Sequence, residues 1–493
     1  MKNKSKFLSI LLSFVLLLGV FFGSLYFPTD PDLGWHLKYG ESFFENNEVL
    51  RENTFSRLMQ DYKWNNSSWG TDLITYQTFN NFGFLGVSVL SALVVTLTFF
   101  FIGKAAKMDL FEKSIAFPVL LFLTLPVNQV SFRGQLLSLL LIAVMYWSLT
   151  KYEEIKDKRL ILLLIPFFTL WSNLHGEFLL GLALFGLWVV IYLAKEYYLD
   201  YRNRIKELII RERFLILALF ASLLSVMINP FGAGVYLETF RHLDDPLQAS
   251  IVEFLPPDSF SFVWWHQLIA GMALTLGLAL QGTSRKTFDL APFYLPSFIL
   301  FIFTFWVSRY AWPFYYSAIF LFKPLISFLK PESKKYQLIV GGVFTVSFLI
   351  VSLWSKYPFT EFKNMNWDEY CRRSISCSPG SAKAVVSNKL NNEDLLTIYD
   401  YGGFLIWNYS QIKPTIDGRM HLWRNESGYS AFGYYYPIEQ NLEDIDRSRY
   451  NAVLTSNRKP IYNRLIELRQ EGKWEAIHVD KYSALFVRIA SEK

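Results

Sequence analysis

Long apolar runs alternate with short basic stretches through the first 355 residues of the chain. A helix crossing a ~30 Å hydrocarbon core needs about 20 apolar residues, and fewer where protein or a wet cavity shields one end. Eleven runs meet that description: Phe7 to Phe27, Phe84 to Gly103, Ser114 to Val127, Gln135 to Leu149, Leu160 to Asn173, Phe178 to Ala194, Phe214 to Ile228, Val263 to Leu280, Leu290 to Val307, Ala311 to Leu325 and Leu338 to Trp354. The first is long for a signal-peptide core and has no clear small-x-small cleavage site, so it reads as a retained anchor. From Tyr357 onward the chain turns polar and the period shortens. Leu395 to Tyr399, Pro414 to Ile416 and Asn451 to Thr455 read as strands, Ser381 to Leu390 and Ile461 to Gln470 as helices, and Lys473 to Val479 with Tyr482 to Arg488 as a closing hairpin.

The predicted fold is therefore mainly α: a polytopic membrane helical bundle of about 11 spans over residues 1–355, with outer loops at 28–83 and 230–262, followed by a small soluble α/β domain over 356–493. Within the first loop, Gly40 to Glu45 and Trp69 to Phe82 carry apolar residues at helical spacing, as helices lying on a bilayer surface do. The second long loop contains Glu253-Phe-Leu-Pro-Pro, and loops of that length often cover a site.

Orientation follows from Lys and Arg in short loops, which favour the cytoplasmic side. With Lys2, Lys4 and Lys6 inside, alternation puts these residues inside as well: Lys104, Lys107 and Lys113; Lys151, Lys156, Lys158 and Arg159; Lys195, Arg202, Arg204, Lys206, Arg211 and Arg213; Arg285 and Lys286; and Lys330, Lys334 and Lys335. The opposite short loops hold only Arg133, Arg241 and Arg309. The N-terminus is thus expected in the cytoplasm and the C-terminal domain outside it.

Composition agrees with a bilayer as solvent: 52% of residues are hydrophobic, and 18% are charged where soluble domains carry about 25%. The net charge of +6 does not point to nucleic acid, because the basic residues are dispersed through short loops. Cys371 and Cys377, outside the cytoplasm, are free to form a disulfide, with two unpaired thiols as the alternative.

With the topology set, the unusual polar residues collect at the outer ends of the spans. Asp30, Asp32 and His36 follow the first span, Arg133 lies between the third and fourth, His175 and Glu177 between the fifth and sixth, and Arg309 between the ninth and tenth. Ionisable groups at such depth are costly unless they pair or line a wet cavity. Two carboxylates two residues apart with an imidazole nearby can hold a divalent ion or supply a general base; taken singly, an acid just beyond a helix end is usually a solvated or capping group. His175 and Glu177 flank Gly176 and also suit a tight turn. Arg133 and Arg309 either snorkel as interfacial anchors or grip a phosphate through bidentate geometry. In the C-terminal domain, Asp400-Tyr-Gly-Gly-Phe-Leu is too short for a phosphate-cradling loop. Asp417 and Arg419 either pair with each other or project toward the membrane cavity. Asn66-Ser67-Ser68 matches a glycosylation acceptor, a pattern frequent by chance.

Several of these motifs together carry a resemblance. Asp30-Pro-Asp-Leu-Gly-Trp-His with Gly40-Glu, Arg133-Gly-Gln, Asn173-Leu-His-Gly, Asn229-Pro-Phe-Gly, Tyr401-Gly-Gly-Phe-Leu-Ile-Trp and Ile416-Asp-Gly-Arg look like a bacterial and archaeal group of membrane proteins. That group is similar in layout to the GT-C glycosyltransferases, which include protein mannosyltransferases, aminoarabinose transferases and the oligosaccharyltransferase catalytic subunit. The resemblance implies inverting transfer of a sugar from a polyprenyl-phosphate carrier to a glycan, lipid or protein acceptor. It places the catalytic or acceptor-binding carboxylate on Asp30, with Asp32 second, and the donor phosphate on Arg133 or Arg309, with His36, His175 and Glu177 lining the cavity. Some relatives use a metal with a second acidic motif, so Mg or Mn on Asp30, Asp32, His175 and Glu177 is an open alternative. Two other classes compete: a lipid or polysaccharide transporter, which should show polar residues in mid-span and an inverted repeat, and a non-catalytic envelope assembly or binding protein.

Overall fold

The computed structural model describes residues 2–199, 204–243, 251–281, 291–355, 365–392 and 394–489. Residues 244–250 of the second long loop lie outside that set, as do Arg202, Arg285 and Lys286 of the basic loops. The chain is mainly helical with one small sheet.

Each apolar run contains helix over much of its length. Among the described residues five helices are long and apolar enough to cross a membrane: Lys4–Gly23, Trp69–Ala105, Gly134–Ile155, Phe178–Leu199 and Lys334–Ser355. The run Val263 to Leu280 lies in the 20-residue helix Phe262–Gln281, and the others form shorter or broken pieces such as Leu164–Leu174, Arg213–Ser225 and Ala291–Phe303, so helix length alone does not carry a count of eleven crossings. Trp69–Ala105 joins the expected surface helix to the second run, with a break at Gly83, whose φ of 59° lies in the region that glycine enters at no steric cost.

The chain divides into two compact units. One gathers Met1–Tyr26, Ser88–Val235 and Ala249–Thr360; the other gathers Phe27–Val87, Tyr236–Gln248 and Glu361–Lys493. The first loop thus belongs to the same unit as the C-terminal segment.

In the first unit the N-terminal helix packs along Lys334–Ser355, close enough at Gly19 that a Cβ there would stand 2.7 Å from the Phe348 ring. Small residues allow such approach where burial of apolar surface gives no drive between helices in lipid. The Leu110–Leu123 helix opens on a capping box, Asp109 accepting from the Glu112 N–H at 3.0 Å and Glu112 from the Asp109 N–H at 2.9 Å.

The second unit holds the sheet, ordered β1-β2-β4-β3, where β1 is Leu395–Thr397, β2 Ala452–Ser456, β3 Trp474–Val479 and β4 Ser483–Arg488. β1 and β2 run parallel, and the chain between them forms the helices Gly402–Asn408 and Ala431–Glu439; β2, β4 and β3 pair antiparallel. The helices Pro379–Ser387 and Pro460–Gln470 begin on proline, whose missing N–H costs nothing there. The expected hairpin and two of the three expected strands form.

Pro414 to Ile416 does not join the sheet. Pro414 lacks an N–H, and its carbonyl with that of Thr415 accepts from the N–H groups of Arg57 and Leu58 at 2.9 and 3.1 Å. The segment is therefore spent on holding the first loop. Cys371 and Cys377 form a disulfide.

Candidate functional site

The first-loop motif and the two C-terminal motifs interlock within the second unit. The Leu33–Asn46 helix packs on Gly402–Asn408 through glycines: a Cβ on Gly34 would stand 1.9 Å from the Gly403 carbonyl oxygen, and one on Gly403 would stand 2.3 Å from that of Pro31. Asp32 occupies the helix N-cap position but makes no side-chain cap. Its carboxylate instead lies against Gly418, where a Cβ would fall 1.7 Å from Asp32 Oδ1. Asp30 is 3% exposed; its Oδ1 accepts from the Asp32 N–H at 3.1 Å, and its carbonyl accepts from the Tyr370 hydroxyl.

One helical turn beyond Asp32, His36 is buried with its Nδ1 2.5 Å from Asp72 Oδ1. Asp72 Oδ2 accepts from the Asn66 amide at 2.7 Å. The Trp35 ring stacks on the imidazole with centroids 3.6 Å apart. Burial opposes charge on His36, but the Asp72 carboxylate, and after it Asp30 and Asp32, outweigh burial and hold its pKa above the ordinary histidine value. Because the Asn66 amide is engaged and only 2% exposed, Asn66-Ser67-Ser68 is a structural turn. Expression in a glycosylating host is expected to leave Asn66 unmodified; an intact mass carrying a glycan lost on Asn66→Gln would contradict this burial.

Asp417 and Arg419 pair with each other. Arg419 Nε and Nη2 reach Asp417 at 2.8 and 2.6 Å, Nη2 also donates to Asn53 Oδ1 at 2.8 Å, and Asp417 accepts from the Ser56 hydroxyl. The rings of Phe55, Trp64 and Trp423 lie 4.7, 5.2 and 5.3 Å from the guanidinium carbon. Burial pushes the Asp417 carboxyl up, but Arg419 and the hydrogen bonds outweigh it, leaving the pKa below the usual carboxylate value.

The first unit holds a second cluster. Arg309 donates from Nε to Glu177 at 3.0 Å and from Nη1 to Glu253 at 3.1 Å, with the Phe254 ring 5.7 Å from its guanidinium carbon. Arg133, at the start of Gly134–Ile155, acts electrostatically on both Glu177 and Arg309. His175 Nδ1 lies 2.9 Å from the Ser138 hydroxyl and 3.6 Å from Glu177, and Ser138 also accepts from the Trp171 indole at 2.9 Å.

Of the residues singled out in the sequence, the second unit brings together Asp30, Asp32 and His36, and also Asp417 with Arg419; the first brings together Arg133, His175, Glu177 and Arg309. Sequence reading missed Asp72, Asn53, Ser56 and Glu253 as partners. Asp72 sits in a helix's first turn, where an acid reads as a favourable dipole contact, and only the fold sets it beside His36. Among the described residues no group of three or more His, Cys, Asp or Glu is placed to hold a metal ion. Asp30 and Asp32 belong to one unit and His175 and Glu177 to the other, so these four do not make a donor set within either unit.

The fold defines a class: a mainly helical chain with membrane-spanning helices and a small sheet-bearing unit. The crystal structure of the Archaeoglobus fulgidus oligosaccharyltransferase in the apo form is similar, with a TM-score of 0.53 and 10% identity, over 90% of this chain and 69% of that one. That similarity is one of fold. No protein-family model and no curated protein matches the chain.

Proposed function

We propose that the protein is a multi-pass membrane glycosyltransferase that moves a sugar, with inversion, from a polyprenyl-phosphate-linked donor to a glycan, lipid or protein acceptor outside the cytoplasm. The observation that carries this reading is the acid and imidazole cluster of buried Asp30 and His36 with half-buried Asp32, on a fold similar to that of an oligosaccharyltransferase. Such a donor carries its activation in the phosphoester, so an outer site needs no nucleotide sugar. What it needs is a proton acceptor for the acceptor hydroxyl and cationic stabilisation of the departing phosphate. Asp30 and Asp32 supply negative charge where the acceptor is activated. Arg133 and Arg309 supply the guanidinium groups suited to the donor phosphate, which would compete with Glu177 and Glu253 for Arg309. The N-terminus lies in the cytoplasm and the C-terminal segment outside.

Asp30→Asn and Asp32→Asn are expected to keep polyprenyl-phosphate binding while lowering sugar turnover by roughly 10²-fold or more, the low end of what proton transfer contributes, because the charge that assists it is lost. Titration of detergent-purified, monodisperse variants with polyprenyl phosphate, beside a turnover assay, reads both. Full turnover in both variants would sink the role given to the first loop.

A further inference from the structure

We propose that His36 is the group that takes the acceptor proton, and that Asp72 and Asn66 are positioning residues that aim its Nε2. The inference rests on the transferase reading and goes beyond it, because that reading gives Asp30 and Asp32 the negative charge at the acceptor and names no group that takes the proton.

The geometry comes from three separate pieces of chain. His36 lies on Leu33–Asn46, Asn66 in the loop that follows, and Asp72 on Trp69–Ala105. With Nδ1 2.5 Å from Asp72 Oδ1, the neutral imidazole carries its proton on Nδ1 and presents a lone pair at Nε2. Asn66, donating to Asp72 Oδ2 at 2.7 Å, fixes the carboxylate that fixes the ring. Trp35, stacked at 3.6 Å, covers a face of the ring and restricts its tilt. An imidazole held by a carboxylate on one nitrogen is the arrangement by which a histidine becomes an oriented base. Free imidazole, with a pKa of about 6.5, is also a better proton acceptor than a free aspartate at about 3.9.

The charged and titratable groups facing the pair support the direction of transfer. Asp30 and Asp32, ahead of the helix, and Asp72 all favour the imidazolium that forms; burial pushes the Asp72 carboxyl up, against the pull of His36, Asn66 and Arg419, and Asp72 in turn adds to burial in raising the Tyr39 hydroxyl. In the step itself the acceptor O–H gives its proton to His36 Nε2, and the acceptor oxygen's electron pair forms the bond to the anomeric carbon. The anomeric carbon–phosphate oxygen bond breaks, and its pair leaves on polyprenyl phosphate. The imidazolium then returns its proton to water. Asp30 and Asp32 act in this step as electrostatic partners of the imidazolium.

The test uses full-length protein with ¹⁵N-labelled histidine in detergent, where six histidines give a readable spectrum and His36→Gln assigns one of them. The expected spectrum shows His36 protonated on Nδ1 when neutral, with a titration midpoint that falls in Asp72→Asn. In turnover, His36→Gln is expected to lose roughly 10²- to 10⁴-fold in kcat. Asp72→Asn is expected to lose about 10- to 100-fold, as oriented ligands do when their partner is changed, with KM kept and the rising limb of the pH profile moved to lower pH. A merely structural role for Asp72 would leave that limb in place. Retained turnover in folded His36→Gln, or a neutral His36 protonated on Nε2, overturns this inference and leaves the transferase reading standing. Absence of turnover in the wild-type protein with a polyprenyl-phosphate sugar is the separate result that overturns the transferase reading, and with it the assignment of His36 as its base.

Discussion

Replacing Arg419 with methionine is expected to cost about 3–5 kcal/mol, because it leaves the Asp417 carboxylate buried without its counter-charge. Arg419 and Asp417 side chains are 1% and 0% exposed, so water cannot take the place of the guanidinium. The substitution also leaves Asn53 Oδ1 with only the Ser56 N–H, at 3.3 Å, as donor and removes the cation from three aromatic rings. For a unit of 150 to 250 residues, such a loss corresponds to a fall in midpoint of roughly 6–20 °C. Trp64 and Trp423, beside the guanidinium, report the transition by intrinsic fluorescence. The pH dependence has a definite sign. The pair holds the Asp417 pKa below the unfolded value, so its contribution is fully present above about pH 3.9 and is lost as the pH falls through the folded pKa. Acidification should therefore narrow the gap between wild type and Arg419→Met, and an unchanged midpoint in the variant at neutral pH would contradict the role given to the pair.

The second large effect is steric. Alanine at Gly403 would put a methyl 2.3 Å from the Pro31 carbonyl oxygen, and alanine at Gly34 would put one 1.9 Å from the Gly403 carbonyl oxygen. Both obstacles are backbone, which cannot rotate away as a side chain can, so each variant must separate two elements. Overpacking in a dense interior costs about 1–3 kcal/mol, and here it also moves Pro31, the residue between Asp30 and Asp32. Gly34→Ala and Gly403→Ala are thus expected to lose turnover beyond what their stability loss explains. Limited proteolysis of the first loop, compared with turnover at a temperature where the variants remain folded, separates the two effects. Wild-type cleavage and wild-type turnover in both would show that the close approach does not matter.

How much of this was legible in the chain differs by kind of interaction. Period and length were enough to find the apolar runs, β1, β2 and the final hairpin, because each is set by residues near in sequence. Pro414 to Ile416 has strand-like composition, yet its carbonyls are taken by Arg57 and Leu58, a partner more than 350 residues away that no local pattern reveals. The functional motifs were visible as chemistry but not as partners. Asp30, Asp32 and His36 stand out in seven residues of sequence, whereas Asp72 reads as an ordinary first-turn acid until the fold sets it against His36. Likewise Gly34, Gly403 and Gly418 stand in the sequence without a role of their own, and their importance lies in how closely the first loop and the C-terminal segment approach.

The central claim is sugar transfer at an outer acidic site, and the most direct measurement is turnover itself. Full-length protein in lipid nanodiscs would be given a polyprenyl-phosphate donor bearing a radiolabelled sugar, with a membrane extract supplying acceptors, and the label leaving the lipid phase would be followed. The account predicts time-dependent transfer of the label with release of polyprenyl phosphate, lost in Asp30→Asn/Asp32→Asn protein that still binds the carrier. Equal transfer by wild-type and doubly substituted protein, or saturable carrier binding with no transfer from any polyprenyl-phosphate sugar, would contradict it.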